Sequence, residues 1–312
     1  MIELSDEELD YATIIGIGDL GVQVLSRLRE KQRKDLKLCA VVSDKAQISR
    51  HESDFTIVCE GAIDTAGQQQ SELHNTIQNS IMLVIVADVT DAFSAQMVSS
   101  IAESERNYEP FSRYYRKSWQ HHSEHDNEIF SVALLKSANG INTQNDYIFN
   151  TRAICLQNEM LRQQCEFHPE LFETEIDFMA ETATQILNLY LSEKLVGLDM
   201  ADIRNSFSNP GKMTPCIGQG DTPEEAVDSL LSSATKICLN LSQCHLVIYS
   251  MSGARQKLSI FDVDEGLNLI LKKIESQNML FAAHVDDSLD DSRLIIFALF
   301  CERKIIKKLY DD

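Results

Sequence analysis

Several features that mark other protein classes are missing from this sequence. None of its eight cysteines stands in a Cys-x-x-Cys pair, which argues against zinc-finger spacing, and their scatter over 312 residues argues against a disulfide framework. The longest apolar runs, residues 81–87 and 294–301, are too short to span a bilayer. Residues 1–10 are acidic and carry no apolar stretch, so they do not predict a signal peptide. These absences predict a cytoplasmic protein without direct membrane insertion.

Basic residues are also scarce. The chain has 28 Lys and Arg against 48 Asp and Glu, a net charge of −20. Such a field repels nucleic-acid backbones and anionic membranes, so no nucleic-acid partner is expected. The length allows two ordinary domains or one large one, and a hydrophobic content of 44% supports a sizeable core.

The first half of the chain alternates apolar runs with segments of helical periodicity. This alternation predicts a parallel sheet with helices on both faces. We expect a surface insertion at residues 106–128, where the periodicity fails. Strands are predicted at residues 12–18, 38–42, 55–59, 81–87, 129–135 and 152–156, and helices at residues 22–34 and 92–105.

The longest helical pattern spans residues 170–194 and carries a broad apolar stripe, which is typical of a helix in the middle of a protein. The segments after it predict a smaller α+β domain. The predicted organisation is a nucleotide-binding-like α/β domain at residues 1–168, a central helix at 169–196 and an α+β domain at 197–312. The later elements are predicted helices at 222–241 and 263–276 and strands at 245–249, 279–285 and 293–301.

A glycine turn follows the first predicted strand. Gly16, Gly18 and Gly21 form a G-x-G-x-x-G pattern that opens a helix, where backbone N–H groups can approach a phosphate. Asp44 ends the next strand, where a dinucleotide-binding fold places its ribose-binding acid. On these residues alone an NAD-dependent oxidoreductase is one alternative, although Asp19 inside the turn does not suit a phosphate.

The order of later motifs resembles the FtsZ/tubulin family. An acidic loop at residues 197–202 leads to a Gly-x-Gly element and an alanine-containing helix, and residues 281–294 are similar to the family's closing hairpin. Earlier segments follow the same order, including the first glycine loop and residues 154–161. The resemblance covers about nine-tenths of the chain. It implies an FtsZ/tubulin-like fold: a Rossmann-like parallel-sheet domain, a long central helix and a smaller α+β C-terminal domain.

The phosphate-binding loop of that family is degenerate here. The family has a GGGTGTG-type loop after the strand that corresponds to residues 81–87, and its glycines aim successive N–H groups at phosphates. Residues 88–95 contain no glycine, and Asp88 and Asp91 would face a phosphate chain with like charge. Thr90 is the residue of this loop that is carried over as a nucleotide contact.

The resemblance also implies roles for four later residues. Asn158 and Asp177 match positions that contact the nucleotide, although Asp177 is equally well interpreted as an exposed charge on a helix. Asp199 and Asp202 match the carboxylates that enter the next subunit's nucleotide site and polarise the attacking water, while Gly197 replaces the family's Asn. The alternative is that Asp202 caps a helix beginning at Ile203, which would explain one aspartate but not both.

Two further clusters have structural interpretations. His121, His122 and His125 have the spacing of metal ligands, but a solvated loop is the favoured interpretation and no metal site is predicted. Aromatic and basic residues in the insertion, including Tyr115 and Trp119, suit a protein contact. Only residues 302–312 follow the last predicted strand, so we expect no membrane attachment through a C-terminal tail.

The sequence therefore predicts an FtsZ-like cytoskeletal or cell-division protein that hydrolyses no GTP and regulates or caps FtsZ-type polymers. Its partner would be FtsZ or another FtsZ-like subunit, a second copy of this chain included. No cofactor is expected, or GTP with Mg²⁺ if the nucleotide site works. The first alternative is a GTP-hydrolysing, polymer-forming protein, and the second is the dinucleotide-binding oxidoreductase.

Overall fold

A computed structural model describes twelve stretches of the chain, with bounds 11–30, 36–44, 53–59, 72–73, 75–77, 80–106, 130–138, 152–191, 194–207, 211–274, 278–289 and 292–303. The predicted insertion after residue 106, the three histidines within it and the lysines at 304, 307 and 308 lie outside the described residues. The described chain divides into two compact units, Met1–Asn158 with Met179–Ala183 and Glu159–Phe178 with Thr184–Asp312. The domain boundaries drawn from the sequence stay a prediction.

The first unit is built on a six-stranded sheet of order β3-β2-β1-β4-β5-β6, in which every neighbouring pair is parallel. Parallel strands covered on both faces carry continuous apolar runs, and residues 82–87 of β4 are fully buried. The α/β prediction is confirmed. The strands are β1 (Tyr11–Ile17), β2 (Leu36–Val42), β3 (Phe55–Val58), β4 (Ser80–Asp88), β5 (Phe130–Ser137) and β6 (Arg152–Gln157).

Helices cover both faces of this sheet. Helix α1 (Gly18–Glu30) lies on the face that carries Gly16, where a Cβ would meet Leu25 Cγ at 2.7 Å. Helix α2 (Ala92–Arg106) lies on the face of Ile15 and Ile85, and its Met97, Val98 and Ile101 share their hydrophobic core. The apolar side chains of each helix repeat at three- and four-residue spacing, as burial of one helix face requires.

The second unit contains a five-stranded mixed sheet of order β7-β10-β9-β11-β8. Strand β10 pairs parallel with β9, and the remaining pairs are antiparallel. Helices α6 and α7 cover the face whose core includes Tyr249, Met251 and Phe300. The remaining elements, which belong to this unit except for Asn158 and Met179–Ala183, are α3 (Asn158–Phe167), α4 (Glu175–Leu191), β7 (Lys194–Val196), α5 (Met200–Phe207), β8 (Gly211–Gly220), α6 (Pro223–Lys236), β9 (Cys244–Gly253), α7 (Ile260–Lys273), β10 (Met279–Val285) and β11 (Leu294–Arg303).

Helix α4 is shorter than the predicted central helix, which was placed at residues 170–194. It begins at Glu175, where Asp177 Oδ2 in the first turn accepts from the Thr174 backbone N–H and hydroxyl at 2.8 and 2.9 Å, which is one half of a capping box. His168 and the residues after it form a turn instead, since the Phe172 N–H donates to the His168 carbonyl at 2.9 Å. Pro169, whose place before the helical pattern predicts a helix start, therefore lies in this turn instead.

The second unit uses buried polar contacts on the face of its sheet that meets α4. His284 Nε2 lies 2.7 Å from Ser252 Oγ and 3.1 Å from Asn188 Nδ2, and both neighbours are buried. Gln185 Oε1 accepts from the Ser250 hydroxyl at 3.4 Å. Matched polar groups of this kind fix the position of a helix on a sheet more narrowly than aliphatic contacts do.

No helix among the described residues is long and apolar enough to cross a membrane.

Candidate functional site

The loops after β1 and β4 lie side by side in the first unit. Strand β1 pairs with β2 on one side and with β4 on the other, and Ile17 lies opposite Ala87. The strand order therefore changes direction between β1 and β4. In open α/β sheets, ligands bind outside the carboxyl ends of the strands at this point. The glycine turn and residues 88–91 meet where such a site would form.

Packing accounts for two of the three glycines in the turn. A Cβ on Gly16 would lie 2.5 Å from the Gly21 carbonyl oxygen, and a Cβ on Gly21 would press on the Gly16 backbone. Strand β1 and helix α1 touch backbone to backbone at these residues. Gly18 has a φ of 65°, and a Cβ there would lie 2.5 Å from Ser94 Oγ. The turn is therefore closed against its own helix and against the start of α2.

Asp88 folds its carboxylate back onto its own loop. Oδ1 accepts hydrogen bonds from the Thr90 backbone N–H at 2.9 Å and from the Thr90 hydroxyl at 2.5 Å. Oδ2 lies 3.7 Å from Lys136 Nζ of the adjacent strand β5. Both carboxylate oxygens of Asp88 thus contact groups of the same unit. The Thr90 N–H already has a hydrogen-bond acceptor and is not available to an anion.

Asp91 does the same at the start of helix α2. Its Oδ2 accepts from the Ser94 backbone N–H at 2.8 Å, and its carbonyl accepts from the Ala95 N–H at 3.0 Å. These are the bonds of an N-cap. The Asp91 N–H donates to the Asp88 carbonyl at 3.2 Å, which closes the loop as a turn. Two carboxylates therefore occupy N–H groups of this loop that would otherwise face an anion.

The remaining predicted nucleotide contacts fall in two units. Asp44 follows β2, and Asn158 is the exposed first residue of α3, so both belong to the first unit with the glycine turn and Thr90. Asp177 belongs to the second unit. Its carboxylate is the partner of Thr174 in the cap of α4, a role that the sequence had not suggested.

In the acidic loop, Asp199 is the helix cap. Its Oδ1 accepts from the Asp202 backbone N–H at 2.7 Å, and its carbonyl accepts from the Ile203 N–H at 3.2 Å. Helix α5 therefore begins at Met200, and the alternative that Asp202 caps a helix from Ile203 is wrong. Asp202 is exposed, and its carboxylate has no hydrogen bond or ion pair with any residue that the structure describes. The loop presents one carboxylate to solvent.

Lys194 and Gly197 support this loop, and sequence reasoning missed the pair. Lys194 Nζ donates to the Leu198 carbonyl at 3.2 Å. Its stem passes over Gly197, where a Cβ would lie 2.6 Å from Lys194 Cδ. Burial lowers the pKa of Lys194 below its usual value. The i,i+3 and i,i+4 spacings of Lys194 with Gly197 and Leu198 are a signal in the sequence, but the helical pattern predicted through residue 194 conceals it.

Metal ligands do not converge anywhere in the described part of the chain: no group of three or more His, Cys, Asp or Glu side chains there is arranged to hold an ion. The three histidines of the insertion lie outside the described residues.

The fold is similar to solved structures of FtsZ and CetZ proteins. An FtsZ point mutant from M. jannaschii superposes with a TM-score of 0.72 at 17% identity, over 94% of this chain and 91% of that one. CetZ2 from Haloferax volcanii, solved as a GTPγS-bound protofilament, gives 0.61 at 12% identity over 95% and 94% of the two chains. The chain therefore has the FtsZ/tubulin fold.

A curated relative of this chain is the mitochondrial division protein fszA of Dictyostelium discoideum, which is 20% identical over 301 residues. The match covers 89% of this chain and 56% of the relative, so the chain spans about half the length of the protein that it matches. No protein-family model matches the sequence. The structural matches extend over both units, which confirms the FtsZ/tubulin-like fold predicted from the sequence.

Proposed function

We propose that this chain is an FtsZ-like cytoskeletal or division protein that works without bound nucleotide and limits the growth of FtsZ-type filaments. It would dock through the acidic loop at residues 197–202 onto a nucleotide-loaded FtsZ-type subunit. The observation that carries the proposal is the loop after β4, in which the carboxylates of Asp88 and Asp91 accept the Thr90 and Ser94 N–H groups.

These residues do not fit a nucleoside triphosphate. A phosphate cradle needs several N–H groups that point outward at one anion, whereas two N–H groups of this loop are held by its own carboxylates. A triphosphate at this point would also approach two aspartates of like charge, the half-buried Asp88 and the exposed Asp91, and Coulomb repulsion would oppose its binding. A single Mg²⁺ would reduce the repulsion without freeing the N–H donors.

The acidic loop supports the docking half of the proposal. Asp202 is exposed, and Asp199 holds it at a defined place on the first turn of α5. The resemblance assigns this loop to the contact that reaches a neighbour's nucleotide. Head-to-tail contacts join two different surfaces, so a subunit with only one competent surface ends a filament and does not extend it.

Names of similar proteins support the cytoskeletal part. The curated relative is called a mitochondrial division protein, the archaeal structures include an FtsZ dimer, and the CetZ2 structure is a protofilament. The alternative of a GTP-binding polymer keeps one observation in its favour, since the glycine turn retains a Gly18 with positive φ at the junction of β1 and β4.

Calorimetry with Mg²⁺-GTP separates these functions. We expect no binding tighter than about 1 mM, which corresponds to roughly −4 kcal/mol. The same titration with ATP and NAD tests the oxidoreductase alternative. A low-micromolar affinity for GTP would contradict the proposal and favour the GTP-binding polymer.

Light scattering of FtsZ with GTP tests the docking role. Substoichiometric amounts of the wild-type protein should lower both the assembly signal and GTP turnover. Asp202→Asn should abolish the effect, because it removes the exposed carboxylate and leaves the Asp199 cap in place. Asp228→Asn is a matched control, since Asp228 is an exposed acid of the same unit that pairs with Lys273. Unchanged assembly with wild-type protein would contradict the role as a capping protein.

A further inference from the structure

We propose that Lys194 is a positioning residue that holds the acidic loop in its docking form before any partner arrives. This inference deepens the proposed function and rests on it for what the loop does. The positioning itself can be tested on the isolated protein.

Three hydrogen bonds among the described residues join Lys194, the loop and the first turn of α5. The Lys194 ammonium donates to the Leu198 carbonyl at 3.2 Å, the Asp199 carboxylate accepts from the Asp202 N–H at 2.7 Å, and the Asp199 carbonyl accepts from the Ile203 N–H at 3.2 Å. The last two are local bonds of a helix cap. Only the first ties the loop to the strand before it, so Lys194 links the cap of α5 to the sheet.

The strand that carries Lys194 is itself anchored. In β7, Lys194 lies opposite His284 of β10, and Val196 lies opposite Ala283. Val196 also packs on the core that includes Ala283. The ammonium thus reaches from a strand of the sheet to the loop, which makes the strand a fixed support for residues 198–202.

Gly197 is the counterpart of this lysine. A Cβ at residue 197 would lie 2.6 Å from Lys194 Cδ, closer than real Cβ contacts, whereas its distance from Lys194 Cβ would be an ordinary 3.7 Å. A side chain at 197 would therefore push the lysine stem aside and break the bond to Leu198. The stem occupies the space that a side chain at 197 would need, so the two residues act as a pair.

Hydrogen–deuterium exchange at the Asp202 amide tests the pair without any partner. Lys194→Met keeps the length of the stem but removes the ammonium, and we expect exchange about tenfold faster, equivalent to about 1.4 kcal/mol. Lys194→Arg keeps a cationic donor and should restore protection to within about threefold, as expected of a charge-assisted bond. The Glu225 amide, which donates to the Thr222 cap of α6 at 3.2 Å, is the internal control and should not change.

A double-mutant cycle sharpens the test. Gly197→Ala alone should speed exchange at Asp202, because the new methyl group displaces the lysine stem. In a Lys194→Ala background the same change should add nothing, since the obstructing Cδ is gone. If Lys194→Met unfolds the unit, Gly197→Ala in the wild-type background decides the question, because it displaces the lysine stem and leaves Lys194 in the chain. Unchanged Asp202 exchange in Lys194→Met, or equal effects of Gly197→Ala in both backgrounds, overturns the inference.

The FtsZ assembly assay then separates the two ideas. If exchange responds to Lys194 while wild-type protein leaves FtsZ assembly unchanged, the positioning role stands and the proposed function fails. If wild-type protein limits assembly and Lys194→Met limits it equally well at all concentrations, the loop needs no positioning and the inference is overturned.

Discussion

The loop after β4 and the acidic loop at the start of α5 both contain an aspartate that caps a helix, but they present different groups to solvent. In each, an aspartate caps the following helix: Asp91 Oδ2 accepts from Ser94 at 2.8 Å, and Asp199 Oδ1 accepts from Asp202 at 2.7 Å. The second aspartate makes the difference. Asp88 turns back to bind Thr90 within its own loop, whereas Asp202 points its charge to solvent.

The comparison teaches that the count of acidic residues does not define the chemistry of a loop. A carboxylate that finds an N–H group in its own turn removes a binding group from the surface. The carboxylate of Asp202, which comes after the capping residue Asp199, accepts no hydrogen bond from its own turn among the described residues and can bind a partner. The arrangement of Asp88 removes N–H donors from a potential anion site, and that of Asp202 presents a carboxylate to a partner.

The largest expected change in the free energy of unfolding concerns helix α4, whose apolar stripe supports the fold that carries both loops. Ile186 on α4 is 1% exposed, so Ile186→Ala should lower the free energy of unfolding by roughly 2–5 kcal/mol through lost burial and a cavity. Urea denaturation measures the change, with Leu195→Ala as the control because Leu195 is 44% exposed. Equal stabilities of the two variants would mean that the apolar stripe of α4 was misinterpreted.

A middle-sized effect is expected in the glycine turn. Gly18→Ala should cost roughly 1–2 kcal/mol, because alanine is strained at a φ of 65° and its methyl group meets Ser94. The loss should be the same with and without Mg²⁺-GTP in thermal unfolding, since a ligand that does not bind cannot stabilise the fold. Marked stabilisation of the wild type by GTP, absent in the variant, would break the comparison by making this turn a working nucleotide site.

The smallest effect tests the shared helix-capping role directly. Asp91→Ala and Asp199→Ala should each cost about 0.5–2 kcal/mol as lost helix caps, while Asp91→Ser and Asp199→Ser should recover most of that loss. Denaturation of all four variants in parallel measures the pattern. Should Asp199→Ala be neutral while Asp91→Ala is costly, the two loops would not be equivalent caps.

Much of the first unit could be predicted from the sequence. Its strands are continuous apolar runs because a parallel sheet is covered on both faces, and the predicted bounds of β2 to β4 differ from the observed ones by at most two residues. Strand β8 was not predicted as a strand. It carries Pro215 and three glycines, and it lies at the edge of its sheet, where proline and glycine are tolerated. Edge strands of this kind lack the pattern on which prediction depends.

The candidate site was predicted in its residues but not in its bonds. The sequence located Asp88, Asp91, Asp199 and Asp202, because each stands in a motif of fixed order. Which carboxylate caps a helix depends on where the helix begins, and a shift from Ile203 to Met200 moved that role from Asp202 to Asp199. The contact of Lys194 with Leu198 depends on a short strand, β7, that has no periodic signal over its three residues.

A loop that carries its own anions has a consequence for timing. In a subunit that hydrolyses GTP, the affinity for its neighbours changes when the terminal phosphate leaves. The hydrolysis rate therefore sets how long the subunit stays in the filament. In the proposed role this chain has no such time dependence, since the carboxylates of Asp88 and Asp91 are part of the chain and do not leave as a phosphate does. Its residence on a filament end would follow from its dissociation rate and its concentration alone, so the cell would set its effect through the amount of protein made.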